Sequence, residues 1–167
     1  MNRNPNFNNY WYLAEYYRQA EQPDMALRAL EQAAAQAVVL SRAYDSKVPE
    51  YFCFSAAAYA CKMQKYDLTL KLCDQWDRMV KAQRYGGNDS LAIRAGAYLG
   101  LGRIADAQAF ARRAIDRQKE QAGWSGDLER LNAAAQAGDT TFIYDAEKDE
   151  GGGSVWVYLF ESSGLDE

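Results

Sequence analysis

Residues 95–114 read AGAYLGLGRIADAQAFARRA, and this stretch decides the fold. Alanines stand at 95, 107, 111 and 114, Tyr98 lies between them, and Gly102-Arg103 interrupts the run. Alanine enters a helix at no side-chain entropy cost, and a glycine just past a helical run marks its stop. The stretch therefore reads as two helices joined by a short turn, with small residues where the two approach closely. Upstream the same arrangement recurs as Leu13-Ala14, Tyr17, Ala26, Leu30 and Ala33, and more loosely as Ala56-Ala57, Ala60, Tyr66, Thr69, Cys73 and Trp76. One helix pair cannot bury its apolar face alone, whereas stacked pairs share a continuous core. Such stacks bind partners rather than catalyse.

Working outward, helices are expected near 9–20, 24–46, 50–63, 66–84, 90–101, 104–121 and 126–137. Gln22-Pro23-Asp24 breaks the first, with the Asp24 carboxylate placed to cap the second. Val48-Pro49 ends the second. Gln64-Lys65 and Gly102-Arg103 are turns within pairs, the Tyr85–Asp89 stretch and Gly123-Trp124-Ser125 separate elements, and Gly138 stops the last helix.

On these residues the chain resembles the tetratricopeptide repeat family, a helix–turn–helix unit of 34 residues with small residues at its eighth, twentieth and twenty-seventh positions. These fall on Ala14, Ala26 and Ala33, then on Ala57, Thr69 and Trp76, then on Ala95, Ala107 and Ala114. The likeness covers roughly residues 7–121 and departs from the family at Trp76, which replaces a small residue and calls for a wider or rotated crossing. Its spacing also departs, with Ala26 and Thr69 lying 43 residues apart and Thr69 and Ala107 lying 38 apart. The resemblance implies an all-α fold, a helical-hairpin superhelix (α-solenoid) in residues 1–137. Its last helix, with Leu128 and Leu131 beside Asp127, Glu129 and Arg130, would serve as a cap.

In that family the first helix of each pair lines a concave groove. Carried over, the groove positions are Trp11, Glu15 and Arg18, then Phe54, Ala58 and Cys61, then Ala92, Gly96 and Leu99. The Lys and Asn that clamp a peptide carboxylate in chaperone-binding members are missing, since Trp11 and Glu15 hold their first-repeat positions. The implied groove is largely apolar and suits a peptide with hydrophobic anchors. The plainer reading is that Trp11 and Phe54 pack against neighbouring helices.

Residues 138–167 change character. Thr140–Asp145 and Ser154–Phe160 are rich in β-branched and aromatic residues around an acidic, Gly-rich stretch, which predicts a β-hairpin. Val155, Val157 and Leu159 would form one face of its second strand, and Trp156, Tyr158 and Phe160 the other. The hairpin has three expected placements: as a cap over the last helices, across a homodimer, or in the groove. This segment carries eight acids against one lysine, a charge of −7 that leaves +3 for residues 1–137. The basic run Arg112, Arg113, Arg117 and Lys119 is a conceivable seat for it, although such runs are more often solvated helix faces.

The remaining composition excludes more than it selects. The 167 residues contain no histidine and three cysteines, Cys53, Cys61 and Cys73. This removes the commonest base and metal ligand and argues against a disulfide framework. No metal or cofactor is expected. The chain has no basic stripe for nucleic acid and no apolar run long enough to span a bilayer. Gly100-Leu101-Gly102 superficially resembles a phosphate turn but follows a helix, not a strand. The expectation is a cytoplasmic adaptor, assembly factor or chaperone-like protein that binds a protein or peptide, with self-association through the hairpin as the alternative and no enzymatic activity.

Overall fold

The computed structural model describes residues 7–41, 48–82, 90–120 and 126–146. These residues are helical, in the order α1 (Phe7–Gln19), α2 (Pro23–Ser41), α3 (Val48–Lys62), α4 (Tyr66–Ala82), α5 (Leu91–Gly100), α6 (Ile104–Glu120) and α7 (Gly126–Ala137). No described helix is long and apolar enough to cross a membrane.

The helices follow from periodicity. In α4, Leu72, Cys73 and Trp76 are buried at i, i+1 and i+4 spacing while Lys71, Asp74 and Arg78 are exposed, giving one apolar stripe. α3 is buried along residues 52–61 apart from half-buried Phe54, because it packs against α2, α4 and α5 together. Each helix packs on its neighbours in the chain where the two are joined by short turns, and α3 also meets α5, α5 meets α7 and α2 meets α4. Odd-numbered helices thus share one layer, with α2 meeting α4 on its other side and α6 packed on α5 and α7. Trp11 extends the first layer, meeting Phe52 edge-on at 5.2 Å between ring centres.

The repeat is most explicit in the turns. Glu21, Gln64, Gly102 and Gly138 all have positive φ, at 56°, 59°, 75° and 66°. In each case the N–H of that residue donates to the carbonyl three residues back, and the next N–H donates to the carbonyl five back. The pairs are Glu21–Arg18 with Gln22–Tyr17, Gln64–Cys61 with Lys65–Ala60, Gly102–Leu99 with Arg103–Tyr98, and Gly138–Ala135 with Asp139–Ala134. This is the Schellman closure, which satisfies the last free carbonyls of a helix. In the first three turns the following helix then opens identically: Ala26, Thr69 and Ala107 donate to Gln22, Lys65 and Arg103. These are the small positions of the sequence pattern. The four turns lie 43, 38 and 36 residues apart, so a helical repeat of uneven length runs through the chain.

Three expectations need correcting. Asp24 lies inside the first turn of α2, which opens at Pro23, where a missing N–H costs nothing. Val48-Pro49 begins α3 for the same reason instead of closing α2. The expected first hairpin strand is not a strand: Thr140 and Thr141 form a turn and Phe142–Asp145 runs without regular structure. Asp139 accepts hydrogen bonds from the Thr141 N–H at 3.0 Å and hydroxyl at 2.6 Å, which turns the chain where a next helix would start. Those bonds hold the Asp139 carboxyl below its ordinary value. No strand occurs among the described residues. The second expected strand, with Val155, Trp156, Val157, Tyr158, Leu159 and Phe160, lies outside them.

Candidate functional site

The layer of odd-numbered helices carries every groove position named from the sequence. At its α1 end, Arg18 makes a two-point pair with Glu15, both bonds 3.0 Å, and Gln19 adds a third at 3.1 Å. Burial pushes the Glu15 carboxyl up, but the bonds from Arg18 and Gln19 outweigh it and hold the group below its ordinary value. Trp11 is 4% exposed and belongs to the core. Tyr12, Leu13 and Tyr16 leave substantial apolar surface outside, Tyr16 most of all at 65%. Leu13 is exposed because α1 begins the described stack. Its register equivalents Ala56 and Arg94 are buried with a preceding helix pair to cover them.

Further along, Phe54 is half-buried and meets Trp76 edge-on at 5.3 Å. Trp76 is fully buried, its ring taking space that alanine leaves at positions 33 and 114. Among the described residues, its Nε1 has no hydrogen-bond partner. Ala58 is buried, and the wholly buried Leu99 contributes to the core.

Cys61 and Gly96 come together, beside a residue that no sequence motif singles out. Tyr144, from the irregular segment after α7, is 2% exposed and seated against Gly96. A Cβ built on Gly96 would lie 2.7 Å from the Tyr144 Cβ, 3.4 Å from its ring and 3.3 Å from the Cys61 sulfur. The next residue, Asp145, places its carboxylate 3.5 Å from the Lys62 ammonium. Ala146 is buried and Phe142 half-buried. The Arg130 guanidinium lies 5.8 Å from the Phe142 ring centre. Burial, followed by the charge of Asp145, pushes the Cys61 thiol up to about 12. The thiol is therefore protonated and unreactive at neutral pH.

A second polar cluster also escaped the sequence reading. Arg94, 9% exposed, donates to Asp77 through Nη2 at 2.6 Å and Nε at 3.2 Å, to Asp74 at 2.8 Å and to Ser90 at 2.9 Å. The Ser90 hydroxyl donates to Asp77 at 2.8 Å, so Ser90 opens α5 without capping it by its side chain. Burial pulls the Arg94 guanidinium down, and the hydrogen bonds to Asp77 and Asp74 more than reverse this. The cluster joins α4 to α5, the junction between two helix pairs. Its only sequence signal was an arginine at a position that the repeat reserves for an apolar or small residue.

On the opposite layer, Arg112 and Arg113 are exposed, with Arg113 over the Phe110 ring at 5.0 Å. The acidic residues expected to face them lie outside the described residues, apart from Asp139 and Asp145. No group of three or more candidate metal ligands occurs among the described residues. Gly100, which had suggested a phosphate turn, instead leaves room for the Tyr66 ring. Comparison of the chain with protein-family models, with curated proteins and with solved structures finds no match in any of the three.

Proposed function

We propose that the chain is a tetratricopeptide-like solenoid that binds a peptide segment of a partner protein along its odd-numbered helices, as an adaptor, assembly factor or chaperone-like protein. One observation carries this reading: an irregular segment, Phe142–Asp145, lies on that face, with Tyr144 buried against Gly96 of α5 beside Cys61 of α3. The face therefore has the shape and chemistry to hold an extended chain by an aromatic anchor. The recurring turns and the two-layer packing support the solenoid, since each pair buries the apolar face of the next. Binding is favoured over catalysis because the chemically reactive side chains among the groove positions are occupied or buried. Glu15 is tied to Arg18 and Gln19, and burial keeps the Cys61 thiol protonated. The three buried thiols, none in a disulfide among the described residues, support a cytoplasmic setting.

The test is selection from a displayed library of random peptides on the full chain and on an Arg18→Glu, Lys62→Glu variant. Both residues are exposed, so the charge reversals spare the core. The reading expects peptides enriched on the full chain and lost on the variant. No enrichment above bare matrix, on the full chain or on a Tyr144→Ala variant, overturns it.

A further inference from the structure

The face proposed to receive a partner already holds part of its own chain, and the details of that contact specify a ligand. Phe142 is half-buried, Ile143 faces outward at 41% exposure, Tyr144 fills the space beside Gly96, Asp145 pairs with Lys62, and Ala146 is buried. We propose that this seat recognises an extended segment of a partner protein in which an aromatic residue is followed directly by a carboxylate and a small residue, with residues 142–146 acting as its built-in competitor. The inference rests on the peptide-binding reading above.

The seat is specific to one place in the repeat. The register equivalents of Gly96 on the other odd-numbered helices are Glu15, Ala58 and Asn132, all of which carry a Cβ. On α5 alone the missing Cβ lets a tyrosine backbone approach this closely. The charge is complementary, with Lys62 beside the buried ring and able to favour a carboxylate one residue later. The hold is also releasable. Phe142–Asp145 is neither helix nor strand, and the backbone hydrogen bond described for it, Phe142 to Asp139, is local at 3.3 Å. The contacts reaching the helices include buried Tyr144 and Ala146, half-buried Phe142 beside the Arg130 guanidinium, and an ion pair whose Lys62 is half-exposed, which makes that pair weak in water. Tethering nevertheless gives the segment an effective concentration on the order of millimolar. A partner must therefore add contacts elsewhere on the face, and its apparent affinity falls by the fraction of seats left open.

The experiment uses a fluorescein-labelled peptide of residues 139–146, DTTFIYDA, titrated by fluorescence anisotropy into the full chain and its Tyr144→Ala variant. An Asp145→Lys variant opens the seat without removing a buried ring, should Tyr144→Ala fold poorly; circular dichroism monitors the helices of both. The expected result is binding at least tenfold tighter to the opened variants than to the unmodified chain. Binding should be lost when the peptide tyrosine becomes alanine or when Lys62→Glu is added. Equal binding to all forms, or none to either folded variant, overturns the proposal. A doubled mass of the unmodified chain that Tyr144→Ala abolishes also overturns it, assigning the seat to a second copy exchanging segments. Random octapeptides selected on Tyr144→Ala separate the two levels. Enrichment of another class defeats this inference and leaves the peptide-binding reading standing, whereas no enrichment on any form defeats both.

Discussion

A Cβ on residue 96 would stand 2.7 Å from the Cβ of Tyr144, closer than two unbonded carbons approach. Gly96→Ala therefore drives the segment after α7 off α5, since both colliding atoms are held near their backbones. The helix gains up to about 1 kcal/mol from replacing glycine, while overpacking costs about 1–3 kcal/mol. The net loss is about 0–3 kcal/mol, and the local change is large. Limited proteolysis should cut within residues 139–146 several-fold faster in Gly96→Ala, with the helices intact by circular dichroism. An unchanged cleavage rate would mean that the segment is not seated there.

Arg94 binds Asp77 through two nitrogens and Asp74 through one. Arg94→Ala strands the acceptors at the α4–α5 junction, and breaking a buried pair costs about 3–5 kcal/mol. Because the Asp74 and Asp77 side chains are 62% and 37% exposed, the expected loss falls below that range, about 2–3 kcal/mol by urea unfolding. A double-mutant cycle should give Arg94 a coupling of about 1–3 kcal/mol with Asp77 and a smaller one with Asp74. Equal couplings would contradict the geometry.

The four turns share one backbone shape but not one residue type. Glu21→Gly and Gln64→Gly relieve a left-handed conformation that side chains disfavour, and each should stabilise by about 0.5–1 kcal/mol. Gly102→Ala and Gly138→Ala meet no neighbour within 4 Å, so their cost is purely conformational, about 1 kcal/mol each. Thermal unfolding of the four single variants checks the signs.

Those turns also show what the sequence could reveal. Gly102 and Gly138 announce their conformation, because glycine at a helix end suits positive φ. Gln64-Lys65 reads as the turn between two helices, but its left-handed residue has no letter to mark it. Helix limits followed from alanine periodicity and breakers to within a few residues. Thr140–Asp145 misled because β-branched and aromatic residues suit a strand, yet among the described residues these find helices to pack on and no strand to pair with. Tyr144 and Gly96 lie far apart in the chain, and no local pattern links them. Arg94 was hidden for the same reason: its partners Asp74 and Asp77 sit on exposed-looking positions of another helix.

Cys61 gives the account a pH signature. Its thiol is raised from about 9 to about 12 by burial and then by Asp145. A thiol raised in the fold ionises more readily in the unfolded chain, so its contribution is intact below pH 9 and lost as pH rises from 9 to 12. Within that window the loss approaches about 1.4 kcal/mol per pH unit. Cys61→Ala should therefore flatten the decline of stability between pH 9 and 12, measured by urea unfolding at each pH. Parallel declines in both proteins would place Cys61 in a more open site.

The central claim, that residues 142–146 cover a binding seat beside Cys61, is tested most directly by the alkylation rate of each cysteine at pH 8, read by mass spectrometry in the unmodified chain and in Tyr144→Ala. The expected result is a rise of tenfold or more at Cys61, with Cys53 and Cys73 unchanged. No change at Cys61, or an equal rise at all three thiols, would contradict it.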